Sequence, residues 1–188
     1  MVETPSNMLN LGTTAPDFTL PEPLTGARVS RAEFDGKPLL VVFSCNHCPY
    51  VLHIVDAFCR LASDAIDRGV GVVMISANDV DGYPQDGPGP MADFARQHGF
   101  RFPYLYDESQ QVARAYQAAC TPDFFLFDSG HALVYRGQFD ASRPGNNATV
   151  DGADLRAAID AVLAGDAPIG EQLPSVGCNI KWRAGNEP

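Results

Sequence analysis

The sequence predicts an α/β fold with a mixed central sheet, and three observations predict it. Two runs, "GKPLLVVFS" (36–44) and "VGVVMISAN" (70–78), are continuously apolar and suit strands covered by helices on both faces. Segments with three- and four-residue apolar spacing follow each of them. Later, "DFFLFD" and "ALVYRGQF" are separated only by "SGH", as in an antiparallel hairpin. The resulting order, strand–helix–strand–helix–strand–strand–helix, is that of an α/β domain.

The elements follow in turn. "APDFTLPEPLTGARVSRAEF" alternates around a Pro- and Gly-containing turn, which predicts an N-terminal hairpin. After the first buried strand, Val51, Ile54, Val55, Phe58, Leu61, Ala62, Ala65 and Ile66 line one face of a helix over 49–68. Pro49 fits its first turn and Gly69 its stop. "PMADFARQHGF" predicts a shorter helix ending at Gly99, "FPYLYD" a short strand and "SQQVARAYQA" another helix. "DGADLRAAIDAVLAG" predicts the last helix, with Leu155, Ile159, Val162 and Leu163 on one face and Asp151 or Asp154 as its cap. In the tail, 166–188, Val176, Ile180 and Trp182 alternate with polar or small residues, so this segment is expected to pack on the rest.

The 188 residues suit one domain, 1–188, with a core over about 15–165 and the tail packed on it. A net charge of −10 repels phosphate backbones and argues against nucleic acid as a partner. Basic runs are absent, which argues against an anionic membrane surface. The start, "MVETPSNMLNLGTTAPDF", lacks the basic and apolar regions of a signal peptide, and a cytoplasmic location is expected. The five cysteines are too few, and odd in number, for a disulfide-stapled scaffold.

The chemistry concentrates in "VVFSCNHCPYV" (41–51). Cys45 sits where a strand ends and a helix begins. The unpaired N–H groups and positive dipole end of that helix lower the pKa of a nearby thiol, and protonated His47 adds to the effect. Two-residue spacing holds Cys48 close enough for a disulfide. The expected division of labour makes Cys45 the exposed attacking thiol and Cys48 the shielded resolving one. Two alternatives stand beside this redox reading. One is a metal-binding module using Cys45, His47 and Cys48, although zinc wants four ligands and no second close Cys or His pair exists. The other is a pair of ordinary buried cysteines.

"APDFTL", "DGKPLLVVFSCNHCPYV" and "CTPDFFLFD" together resemble the thioredoxin-like redoxins, a group that adjoins the peroxiredoxins (alkyl hydroperoxide reductase and thiol-specific antioxidant proteins). The resemblance spans about Ala15 to Leu163, and "GCNIKWR" is similar to the ending of a bacterial peroxiredoxin-like subgroup. It implies a thioredoxin-like fold and a thiol–disulfide oxidoreductase using Cys45 and Cys48. It implies protein or small-molecule disulfide and thiol substrates, an electron donor left open, and no cofactor. Thr121-Pro122 matches the family step in which the proline is cis, lies against the redox pair and offers backbone to an extended substrate.

The departures from that pattern matter. Leu39 stands where thioredoxins often carry a buried carboxylate, so another group must move the proton to Cys48. Asn46-His47 between the cysteines implies a potential less reducing than thioredoxin's roughly −270 mV. Peroxiredoxins use Pro-x-x-x-Thr/Ser-x-x-Cys; aligning Cys48 with their cysteine places Val41 at the proline and Cys45 at the threonine. A thiol-dependent peroxidase, an antioxidant role, is the alternative within enzymes, and it rests on the resemblance more than on the site.

Cys120 reads as a third redox thiol or a small buried residue. Cys178 reads as a resolving thiol if the tail folds back. Cys59 reads as core. Tyr50 walls the site or covers the helix start, and His53, His98 and His131 read as solvated. "NDVDGYPQDGPGP" (78–90) lacks EF-hand spacing and reads as an insertion loop near the site.

Overall fold

The computed structural model describes residues 3–188; residues 1 and 2 of the expected domain lie outside the described part. In chain order the elements are β1 (Glu3–Pro5), β2 (Thr19–Pro21), β3 (Arg28–Ser30), β4 (Leu39–Phe43), α1 (Pro49–Asp67), β5 (Gly71–Ser76), α2 (Pro88–His98), β6 (Tyr104–Tyr106), α3 (Gln111–Ala115), β7 (Cys120–Thr121), β8 (Asp123–Phe127), β9 (Leu133–Tyr135), α4 (Ala153–Ala164) and β10 (Val176–Asn179).

The main sheet has the order β6-β5-β4-β8-β9. β4, β5 and β6 run parallel, while β8 is antiparallel to β4 and to β9. The sheet is mixed, as predicted, because the first strands are joined through helices and β8–β9 through a tight turn. β4 lies at its centre with every residue buried. Alternate side chains point to opposite faces. Leu40 and Val42 meet Val55 and Phe58 of α1, Met91 of α2 and Leu155 of α4. Leu39, Val41 and Phe43 meet Phe18, Val29 and Tyr116 on the other face. Each such side chain contributes roughly 1.5–3 kcal/mol by leaving water, so the strand that carries the cysteine loop is firmly held.

The predicted hairpin is β2–β3, with Leu20 opposite Val29. α1 buries the expected stripe, Val51 through Ala65, with Ile66 at its margin. α2 stops at Gly99, which is left-handed at φ 63° and so suits glycine. α4 departs from expectation at its start. Gly152, not an aspartate, occupies the capping position. Asp151 accepts from Ala153 N–H at 3.0 Å, while Asp154 accepts from the Gln138 amide at 2.6 Å.

A second, three-stranded sheet of order β1-β10-β7 has no counterpart in the predicted elements. It explains how the tail packs. Ile180 is buried and Trp182 lies against the second core, as expected. Ile180 N–H donates to Ala119 O at 3.2 Å, and Lys181 N–H to Asn78 Oδ1 at 2.9 Å.

The histidines correct another expectation. His131 is buried, with Nε2 on Phe34 O at 3.1 Å and Nδ1 against the Arg31 guanidinium. His53 contacts Ser142 Oγ at 3.1 Å and His98 contacts Asp56 at 2.9 Å, both half-buried. No helix among the described residues is long and apolar enough to cross a membrane.

Candidate active site

β4 ends at Phe43, and Ser44 N–H still donates to Ile75 O at 2.8 Å. The sheet therefore grips the chain up to the residue before Cys45. Cys48 caps α1, and Pro49 opens its first turn where no N–H is needed. Cys45 and Cys48 are 1% and 0% exposed, so the expected exposure of Cys45 does not occur. The cover comes from the Thr121 side and from the insertion loop. Cys45 Sγ is 3.5 Å from Thr121 Oγ1, and the Cys48 thiol donates to Thr121 O at 3.1 Å. The Thr121–Pro122 peptide is cis, as the resemblance implied.

The insertion loop (78–90) folds over the cysteine turn. Its anchor is Asp86, a fully buried carboxylate. Asp86 accepts from Asn46 N–H and from the Asn78 amide, both at 2.8 Å. His47 Nδ1 lies 2.7 Å from Asp86 Oδ2 without the alignment of a hydrogen bond. The His47 ring stacks on Tyr83, with centroids 5.5 Å apart and planes 7° from parallel. Tyr104 OH donates to Asn46 Oδ1 at 3.0 Å. Asp86 thus supplies a buried carboxylate in a site whose Leu39 position holds none.

The two sulfurs differ in acidity, in the opposite sense to the helix-dipole expectation. The Cys48 thiol is lowered to about 5, first by a hydrogen bond from Cys45, then against the cost of burial with help from Cys178 and the Thr121 hydroxyl. The α1 N-terminus adds only a weak pull through Val51. The Thr121 carbonyl works the other way, since it accepts only while Cys48 keeps its proton. Cys45 is raised well above the usual thiol range by its bond to Cys48, by burial and by the negative charge of Asp86. Of the pair, Cys48 loses its proton first, because it is the sulfur with donors around it and Cys45 is the one beside a carboxylate.

The tail does fold back. β10 pairs with β7, Cys178 opposite Thr121 and Asn179 opposite Cys120. The backbone expected to pair with a substrate chain is thus already paired, because β10 fills that edge. Cys178 Sγ is 2.9 Å from Cys48 Sγ. Cys120, by contrast, directs its thiol to Pro122 O at 3.6 Å and Ser175 O at 4.0 Å. Cys59 is half-buried on α1. Tyr50 donates to Glu3 at 3.1 Å and, with Pro122, His53 and Val176, lines a groove beside the turn. For a metal, the ligand atoms that approach within 4.8 Å of one another are those of Cys45, His47 and Asp86. Cys48 is not among them, and both Asp86 oxygens are engaged by asparagine and main-chain donors.

Residues 11–136 match the model of the AhpC/TSA family. The chain belongs to the AhpC/TSA family. A hypothetical protein from Sinorhizobium meliloti has a similar structure throughout: 50% identity, TM-score 0.94, covering 97% of this chain and all of that one. The thiol-disulfide oxidoreductase ResA of Bacillus thuringiensis is 22% identical over 126 residues, 67% of this chain and 68% of that protein. The thioredoxin domain of a Bacteroides vulgatus thiol-disulfide oxidoreductase superposes with TM-score 0.58 at 21% identity, over 68% of this chain and 88% of that domain. The fold is thioredoxin-like, with the mixed sheet between helices.

In this AhpC/TSA chain the structure brings together Cys45, His47, Cys48, Thr121, Pro122 and Cys178, and leaves the Cys120 thiol turned toward backbone carbonyls. Asp86, Asn78 and Gly177 complete the surroundings and were not singled out in the sequence. The one signal for Asp86 was the placing of its loop beside the site.

Proposed function

We propose that this AhpC/TSA protein is a thiol–disulfide oxidoreductase that exchanges disulfides with protein or small-molecule substrates through Cys45 and Cys48. The observation that carries the reading is the pair itself: two sulfurs at the N-terminus of α1, unequal in acidity and sharing protons, against the cis-Pro122 step. Such a pair titrates as a unit. As the shared proton passes to Cys48, the Cys45 thiolate attacks a substrate disulfide. A Cys45–substrate bond forms, the substrate S–S bond breaks and one substrate thiolate leaves. That thiolate takes the proton back from Cys48, and the Cys48 thiolate attacks Cys45 Sγ. The Cys45–Cys48 disulfide forms and the second substrate thiolate leaves, so two electrons have passed to the substrate. Run in reverse, the same steps donate a disulfide.

Peroxide reduction is the less favoured reading. Val41 is a buried strand residue and Cys45 a second thiol at the positions where that chemistry uses proline and threonine. A reducing compartment, the cytoplasm, suits the low and odd number of cysteines. The test is insulin reduction with a dithiol donor. The wild type is expected to turn over and Cys45→Ser to lose turnover. Intact turnover in Cys45→Ser overturns the proposal, and rapid peroxide consumption abolished by Cys48→Ser alone replaces it with a peroxidase.

A further inference from the structure

Disulfide exchange as proposed uses two sulfurs, but three meet in the site. Cys178 reaches Cys48 because of how β10 is built. The strand is held on both edges, with Cys178 opposite Thr121 of β7 and opposite Glu3 of β1. The preceding residue is Gly177, where a Cβ would run into the Thr121 carbonyl and approach Pro122 N. Only glycine lets two backbones come this close. Ser175 Oγ donates to Pro122 O at 2.7 Å, tying down the start of the strand. The bonds of Ile180 and Lys181 tie down its end. Cys178 is 2% exposed, so its sulfur faces the interior thiol and not solvent.

We propose that Cys178 is a third redox thiol, exchanging with the Cys45–Cys48 pair so that the oxidised protein carries either a Cys45–Cys48 or a Cys48–Cys178 disulfide. The proposal rests on the disulfide-exchange reading above. The step is an isomerisation. The Cys178 thiolate attacks Cys48 Sγ; the Cys48–Cys178 bond forms and the Cys45–Cys48 bond breaks. Cys45 leaves as thiolate and takes the proton that Cys178 gave up. No electrons enter or leave, and no further reactant is required. Cys48 is the shared sulfur because it lies in contact with both neighbours. The consequence is an interior disulfide, shielded from external thiols, with the Cys45 thiol restored. Burial holds the Cys178 thiol above the ordinary thiol range. The attacking species is the thiolate, so the exchange is slow at neutral pH and speeds up as pH rises.

The full-length protein tests this directly. Wild type is incubated in glutathione buffers from about pH 6 to pH 9, sampled over time, quenched in acid, alkylated after unfolding and mapped by peptide mass spectrometry. Both disulfides are expected, the Cys48–Cys178 peptide forming faster as pH rises. Wild type with only the Cys45–Cys48 disulfide throughout overturns the proposal. Cys45→Ser is then oxidised with diamide, which takes up the two electrons and two protons of Cys48 and Cys178. A Cys48–Cys178 peptide is expected; both thiols remaining alkylatable in that variant overturns the proposal independently. Cys178→Ser keeps a hydrogen-bond donor beside Cys48 and Cys178→Ala does not. A purely positioning role predicts that only the alanine raises the Cys48 pKa and that neither variant changes the disulfide map. Insulin turnover with Cys45–Cys48 alone leaves the parent reading standing and removes the third thiol. Absence of both disulfides removes both readings.

Discussion

Removing the charge of Asp86 should make Cys45 markedly more acidic. Asp86 is the third influence holding the proton on Cys45, after the hydrogen bond to Cys48 and burial. Its nearest oxygen lies within 4.8 Å of the Cys45 sulfur. At that spacing, with an effective dielectric constant of about 20, two unit charges repel by roughly 3.5 kcal/mol, or about 2.5 pKa units. The Asn46 and Asn78 donors on the carboxylate offset part of this, so Asp86→Asn should lower the Cys45 pKa by less than the full amount. The substitution keeps an oxygen to accept from Asn46 N–H and leaves the Asn78 amide short of an acceptor, which costs about 1–3 kcal/mol of stability. Circular dichroism checks that the fold survives. The pKa is read from the pH dependence of site-resolved iodoacetamide labelling of Cys45 in a Cys48→Ala background, which removes the competing thiolate. A Cys45 pKa that stays put on Asp86→Asn would refute the reasoning, leaving burial alone as the cause.

Two further substitutions probe the frame around the site. Gly177→Ala places a methyl group against the Thr121 carbonyl, which is backbone and has no rotamer to yield. It should cost about 1–3 kcal/mol by urea unfolding and open Cys178 to labelling in the native protein; unchanged stability and protection would contradict the close approach. Asp123 is fully buried, and burial pushes its carboxyl up to about 6. A carboxyl raised in the folded state binds more protons there than in the unfolded chain. Its contribution is thus present at low pH and lost as pH rises toward about 6, a loss of ~3 kcal/mol at neutrality. Asp123→Asn should flatten that slope and gain stability at about pH 8 relative to about pH 5 in paired urea titrations. Parallel curves for the two proteins would show that Asp123 does not titrate as argued.

Some of this molecule was legible because the relevant forces are local. β4 announces itself as five apolar residues that need cover on both faces, and α1 as a stripe at helical spacing. Cys45 and Cys48 follow from that junction, and Thr121-Pro122 from the resemblance. β7 and β10 are two and four residues long, so the alternation around Val176 and Ile180 announces a packed tail but not the strands it pairs with. The ionisation of the pair failed for a related reason. A dipole at a helix start is a local argument, and it assigns the thiolate to Cys45. The sulfur that ionises first is instead chosen by groups distant in sequence, Cys178 as a donor to Cys48 and Asp86 as a charge beside Cys45. Each arrives through a contact with no spacing rule: a glycine that lets β10 touch Thr121, and a loop carboxylate caught by the amides of Asn46 and Asn78. A Cys-x-x-Cys motif therefore identifies where exchange occurs in this chain. Which sulfur carries the charge, and where a disulfide goes next, is decided by the loop and the tail that enclose it.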